Sequence, residues 1–296
     1  MSWLFLTIAS AFLLGFYDYF KKLALHDNAV LPVLFGSVAA GAMVWLPFVV
    51  WSALAPASLP AGLFHVTGLS ARSHGLLFAK ALLVGASWLL GYYGIKSLPL
   101  SIASPIRATG PLWTISFAIL LFHESPSPKQ WLGVAIILAA FFAFSFVGRR
   151  EGIHFHRNPA VFFMIGATLL GASSSLYDKF LLQAAHLTPS QVQAWFTIYT
   201  TLILIPPLVL WCRLGRRHPF HWHWAIPVIG LTLLGSDMLY FTAIAQSHAL
   251  ISLISPVRRA SVIVAFLLGI FLFHEKHWRP KAICVAAIIT GLLLLS

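Results

Sequence analysis

The polar positions of this chain gather into short gaps. Between them run apolar stretches of about 20 residues, the length that crosses the hydrocarbon core of a bilayer as a helix. Ten stretches fit: 3–23, 31–52, 75–96, 99–122, 128–147, 159–183, 189–212, 223–246, 249–273 and 279–296. Pro, Gly or charge punctuates the gaps, as at Pro99, Pro128, Pro159, Pro189 and Arg279-Pro280, where helices start and stop. Only Ser52–His74 is long enough to be a real loop, with room for a short interfacial segment. The pattern predicts an all-α integral membrane protein of ten transmembrane helices.

One stretch occurs twice. Ser101–Glu124 returns 151 residues later as Ser252–Glu275, with nine of 24 positions identical, among them Ser104/Ser255, Pro105/Pro256, Arg107/Arg258, Phe122/Phe273, His123/His274 and Glu124/Glu275. Spans 3 to 5 match spans 8 to 10 at this offset, and Tyr17-Asp18-Tyr19-Phe20 matches Tyr177-Asp178-Lys179-Phe180 at an offset of 160. The longer offset fits the extra length of the Ser52–His74 loop. Residues 1–148 and 157–296 are therefore expected to be two copies of one five-helix unit. Five crossings per copy turn the second copy upside down, the inverted-repeat plan of many secondary transporters, whose substrate sits near the midplane between the repeats.

Composition supports the membrane. The 296 residues are 59% hydrophobic and 9% charged, against about 25% charged in soluble domains. The net charge of +12 would raise nucleic-acid binding in a soluble protein. Here the basic residues lie mostly between apolar runs, where they set membrane orientation, and no nucleic-acid partner is expected. Cys212 and Cys284 belong to no Cys/His cluster and read as small buried hydrophobes. At the N-terminus the basic residues follow the apolar run and no small-residue cleavage site is seen. That order reads as a retained first helix rather than a secretory signal.

Pro111 lies 13 residues before Glu124 at the end of span 4, and Gly133 lies early in span 5. With ten spans in a 5+5 repeat, these features resemble the EamA branch of the drug/metabolite transporter superfamily. The chain departs from that pattern with His123 and His274 where the family usually has Gly, and with Val262 in place of the second Pro. The resemblance covers essentially the whole chain and implies transport, without naming a substrate. It also implies both termini in the cytoplasm. The loop charges, including Arg149, Arg150, Arg213, Arg216 and Arg217, instead favour both termini outside.

Charged residues inside the spans are the candidate chemistry, because an ionisable group at membrane depth faces a cavity or a partner. Ser101, Ser104, Arg107, Pro111 and Thr114 share one face of span 4; Ser252, Ser255, Arg258 and Ser261 share the matching face of span 9, with Arg259 beside it. Arginine's planar fork suits carboxylate and phosphate groups. The resemblance extends to the organophosphate translocators of the same superfamily, which use basic residues on spans 4 and 9. Structural ion pairing and snorkelling to headgroups are the alternatives.

Three of the seven carboxylates lie within spans: Asp18, Asp178 and Asp237. They would carry protons, meet a substrate amine, or hold fixed ion pairs with Arg107, Arg258, Arg259, Lys22 or Lys179. Tyr17, Tyr177 and Tyr240 would add hydrogen bonds, and Trp88 would line the cavity. His123-Glu124 and His274-Glu275 end their spans on opposite membrane faces, so they form no joint metal site and read as helix ends with gate-like loop contacts. His154, His156, His218, His221 and His223 lack acidic or cysteine partners and read as interfacial. No metal or cofactor is expected.

The expectation is a multi-pass protein of the cell membrane, not an enzyme, monomeric or homodimeric. It would move a small anionic or zwitterionic metabolite by alternating access, with proton coupling through the aspartates. Spans 1, 3, 4, 6, 8 and 9 would wall the cavity. The alternatives are a flippase for lipid or lipid-linked substrates and a membrane-embedded enzyme.

Overall fold

The computed structural model describes residues 2–59, 64–97, 106, 109–146, 158–214, 219–261, 263, 264, 268 and 278–295. They form α-helices and no strands. The helices are α1 (Ser2–Leu25), α2 (Val30–Leu54), α3 (Ala71–Ser97), α4 (Gly110–Phe122), α5 (Pro128–Phe146), α6 (Pro159–Lys179), α7 (Pro189–Arg213), α8 (Ala225–Ile244), α9 (Ile251–Arg259) and α10 (Trp278–Leu295). Six described helices are long and apolar enough to cross a membrane. Of the shorter ones, α5 and α10 adjoin residues outside the described set. The large apolar side chains left exposed, such as Phe5, Leu54, Leu120 and Leu293, suit a lipid surround.

Local chemistry sets the helix starts. Pro159 and Pro189 occupy first-turn positions, where the missing N–H costs nothing. Asn158 accepts from Ala160 N, and Thr188 forms a reciprocal capping box with Gln191. α6 runs directly into a π-helical turn, Phe180–Ala184. The long loop carries a 3₁₀ turn at Pro56–Ser58 and is tied down where Ser52 Oγ accepts from Val66 N at 2.9 Å.

α1 lies along α8, and α6 along α3. α2 crosses α7 and touches α8, while α7 touches α3. α4 faces α9, α5 faces α10, α4 touches α6 and α1 touches α9. Several crossings are too close for side chains, two of them backbone against backbone. A Cβ on Gly230 of α8 would stand 2.0 Å from Ser37 O of α2. At the α5–α10 crossing, a Cβ on Gly133 or Gly291 would stand 2.8 Å from the other's carbonyl oxygen. Gly230→Ala is therefore expected to push α8 off α2 and destabilise by about 1–3 kcal/mol, visible as a lower melting temperature in detergent.

The bundle has two ends. At one, the α1–α2 turn meets the α7–α8 connection. Asn28 donates to His221 O at 2.7 Å and accepts from His221 N at 3.0 Å. This is the Asp27 end. The opposite end gathers the end of α4, the end of α6 and the start of α9, and is the Glu124 end. A cluster including Leu77, Ala118, Leu181, Ile244, Ile251 and Ile254 fills it. The cavity lies between these ends.

Candidate functional site

A cavity of about 270 Å³ opens between α1, α3, α6, α7, α8 and α9. α6 gives it small residues, including Ala167, Gly171, Ser174 and Ser175, which leave space. Polar and charged side chains enter from the facing helices. Span 4 was expected in the wall. Among the described residues it contributes nothing, and α7, which was not expected in the wall, contributes Phe196.

Three ion pairs line the cavity. Lys80 of α3 meets Asp178 of α6, and their side chains are 2% and 6% exposed. Arg258 of α9 meets Asp237 of α8, at 20% and 9%. Lys21 and Asp18, both on α1, stand 3.7 Å apart at 19% and 37%. Exposure thus falls from the Asp27 end, where α1 terminates, towards the Glu124 end, where α6 terminates. The cavity is open at the first and dry at the second.

Each cation also meets an aromatic face. Lys80 Nζ lies 4.5 Å from the Phe196 ring centre and 5.0 Å from that of Phe241. The Arg258 guanidinium lies 3.9 Å from the Tyr240 ring, and Lys21 Nζ lies 5.0 Å from that of Tyr17. Such contacts stabilise a desolvated cation by up to about 2 kcal/mol.

The described lining carries Lys21, Lys80, Arg258 and Arg259 against Asp18, Asp178 and Asp237, an excess of one positive charge. Arg258 Nε is buried without a hydrogen-bond partner among the described residues. A second space of about 20 Å³ borders Ser37, Gln193, Thr197 and Asp237. Gln193 Oε1 is likewise unpartnered, and the space suits one bridging water.

Of the residues singled out in the sequence, Tyr17, Asp18, Trp88, Asp178, Asp237, Tyr240, Ser255, Arg258 and Arg259 come together around this cavity. Ser104 and Arg107 lie outside the described residues. Tyr177 does not line the cavity. Its hydroxyl donates to Leu76 O at 3.2 Å and its ring stacks on Phe180. Tyr177 turns away from the cavity where Asp178 turns in, unlike the equivalent pair Tyr17 and Asp18, which both line it. The partner of Asp178 is Lys80, not the lysine beside it. Lys80 escaped the sequence reading although it sits inside a span, where the rule applied to the arginines would have found it.

Lys179 pairs with Glu124, which ends the Phe-His-Glu run. His123 just before it adopts φ 51° and ψ 36°, the left-handed helix-ending conformation that favours glycine, and glycine is the residue usual in the resembled family. Among the described residues no group of three or more His, Cys, Asp or Glu could hold a metal.

Comparison with known proteins bears on this geometry. Residues 1–146 match the EamA-like transporter family. A stretch of 70 residues is 33% identical to the probable 4-amino-4-deoxy-L-arabinose-phosphoundecaprenol flippase subunit ArnE of Salmonella typhimurium, and equally to that of Salmonella newport. It covers 23% of this chain and 63% of each relative, so the chain spans less than two thirds of the curated relatives it matches. A solved crystal structure matches over 100% of this chain and 98% of its own, with a TM-score of 0.72 and 16% identity. That likeness speaks to the fold alone.

Proposed function

We propose, from the premise that residues 1–146 make this chain an EamA-type protein of the drug/metabolite transporter superfamily, seated in the cell's inner membrane, that it carries a small anionic metabolite through the bilayer by alternating access. The observation that carries this reading is the half-open cavity lined by Lys21, Lys80, Arg258 and Arg259, with the buried Nε of Arg258 unpartnered among the described residues. A guanidinium in such a place binds carboxylate or phosphate in its fork. All three lining aspartates already have cationic partners, so the site favours an anion over an amine. The aromatic rings of Tyr17, Trp88, Phe196 and Tyr240 would cover an apolar portion of the substrate.

The ten helices would form two inverted units, residues 1–148 and 157–296. The packing supports this: adding or subtracting five from each helix number turns α1–α8 into α6–α3, α1–α9 into α6–α4 and α2–α8 into α7–α3, and all six contacts exist. Ion-pair exchange gives the cavity its chemistry. An incoming anion competes with Asp178 for Lys80 and with Asp237 for Arg258, and a released aspartate can take a proton, which would couple transport to protons. The match to a transporter family supports reading the protein as a transporter rather than an enzyme.

One observation favours a second reading. The matched relatives are described as flippase subunits for a phosphoundecaprenol-linked sugar, and the substrate would then be a lipid-linked phosphate whose charged head enters the same cavity.

A thermal-shift screen of the purified chain against carboxylates, phosphate esters and amines tests the assignment, since a ligand of the native state raises its apparent stability. Anions are expected to raise the melting temperature and amines not to. Shifts from amines alone would overturn it.

A further inference from the structure

At the Glu124 end of the bundle one carboxylate joins three helices. Glu124, at the end of α4, is 1% exposed in its side chain. Its oxygens accept from Ile251 N at 2.8 Å and Ser252 N at 2.9 Å, and from the Ser252 hydroxyl. These are the first free N–H groups of α9, where the helix dipole favours an anion. Lys179, the last α-helical residue of α6, completes the cluster and lies 4.9 Å from the Phe122 ring. The π turn that follows adds Gln183, whose amide donates to Ile244 O, Gln246 O and Ala249 O of the α8–α9 connection.

The lysine of this cluster is present in one repeat only. By the sequence repeat, Lys179 corresponds to Tyr19 and Lys80 to Leu231. The Glu124 end thus has two cross-helix ion pairs, Lys80–Asp178 and Lys179–Glu124, whose cations have no counterpart at the Asp27 end. Asp178 and Lys179 are adjacent, and π turns such as the one they lead into are common at functional sites.

We propose that Glu124, Lys179 and the N-terminus of α9 form the latch that holds this end of the transport path shut in the resting protein. The unequal repeats bias that resting state towards opening at the Asp27 end. Asp178 links the latch to the cavity: an anion that draws Lys80 away frees the turn that carries Lys179. The inference rests on the transport reading above.

The test is cysteine accessibility in right-side-out and inside-out membrane vesicles of the full chain. Ser175→Cys, which lies in the cavity wall, is introduced after Cys212→Ser and Cys284→Ser. The probe is the membrane-impermeant methanethiosulfonate ethylsulfonate. Separate Asp27→Cys and Ser70→Cys proteins mark which vesicle exposes which end.

With the latch intact, Ser175→Cys should react from the Asp27 end and hardly from the Glu124 end. Lys179→Met, and the milder Ser252→Ala, should raise the Glu124-end rate by roughly tenfold or more as the closed population falls. An unchanged Glu124-end rate in both variants, with brisk reaction from the Asp27 end, overturns the latch alone. Reaction from neither end in any variant overturns the transport reading, and the latch with it.

Discussion

Lys80→Met lowers the unfolding free energy of the purified protein by about 3–5 kcal/mol, the cost of stripping one partner from a buried ion pair. Lys80 and Asp178 are both nearly dry. Methionine keeps the apolar stem against Phe196 and Phe241 but leaves Asp178 with no cation in contact. The loss comes from the stranded aspartate more than from any large net worth of the pair. Lys80→Met combined with Asp178→Leu should therefore recover most of it, because well-packed apolar replacements of buried pairs are often neutral. Denaturant titration in detergent reads both variants. A Lys80→Met protein as stable as the parent would mean that Asp178 is not held by Lys80.

The second large effect is on binding. Arg258→Ala removes the guanidinium that meets Asp237 and stacks on Tyr240. A hydrogen bond to a charged group contributes about 1.5–3 kcal/mol, so affinity for an anionic ligand should fall roughly 10- to 150-fold. Arg258→Lys keeps the charge but not the planar fork and should fall between. Asp237→Asn in the Arg258→Ala background relieves the stranded carboxylate, so fold and binding are separated. Titration of the anion found in the thermal-shift screen measures the loss. Unaltered affinity in Arg258→Ala would place the anion elsewhere.

Much of the fold was legible because the membrane requires it: about 20 apolar residues per crossing leaves little freedom in where helices lie. The site was legible in part for the same reason. Asp178, Asp237 and Arg258 stand out because charge inside an apolar span needs a partner or a cavity, and the three meet around one space. Lys80 was missed although it too is a charge inside an apolar span; it corresponds to Leu231, so the repeat does not mark it. The repeat pairs Tyr177 with Tyr17, but only Tyr17 lines the cavity, and the Tyr177 hydroxyl is taken by Leu76 O. The bonds of Glu124 to Ile251 and Ser252 join residues over a hundred positions apart in the chain, and no local pattern foretells them. The close approach of α8 to α2 at Gly230 is likewise a tertiary fact, written in the sequence only as one glycine among 20.

Solute counterflow in proteoliposomes tests most directly whether this cavity carries an anion across the bilayer. Vesicles holding the purified chain are loaded with the anion that gives the largest thermal shift, then diluted into a trace of the same labelled anion. The parent protein should accumulate label transiently, while Arg258→Ala and protein-free vesicles should not. No accumulation by the parent, or equal accumulation by Arg258→Ala, would contradict the account.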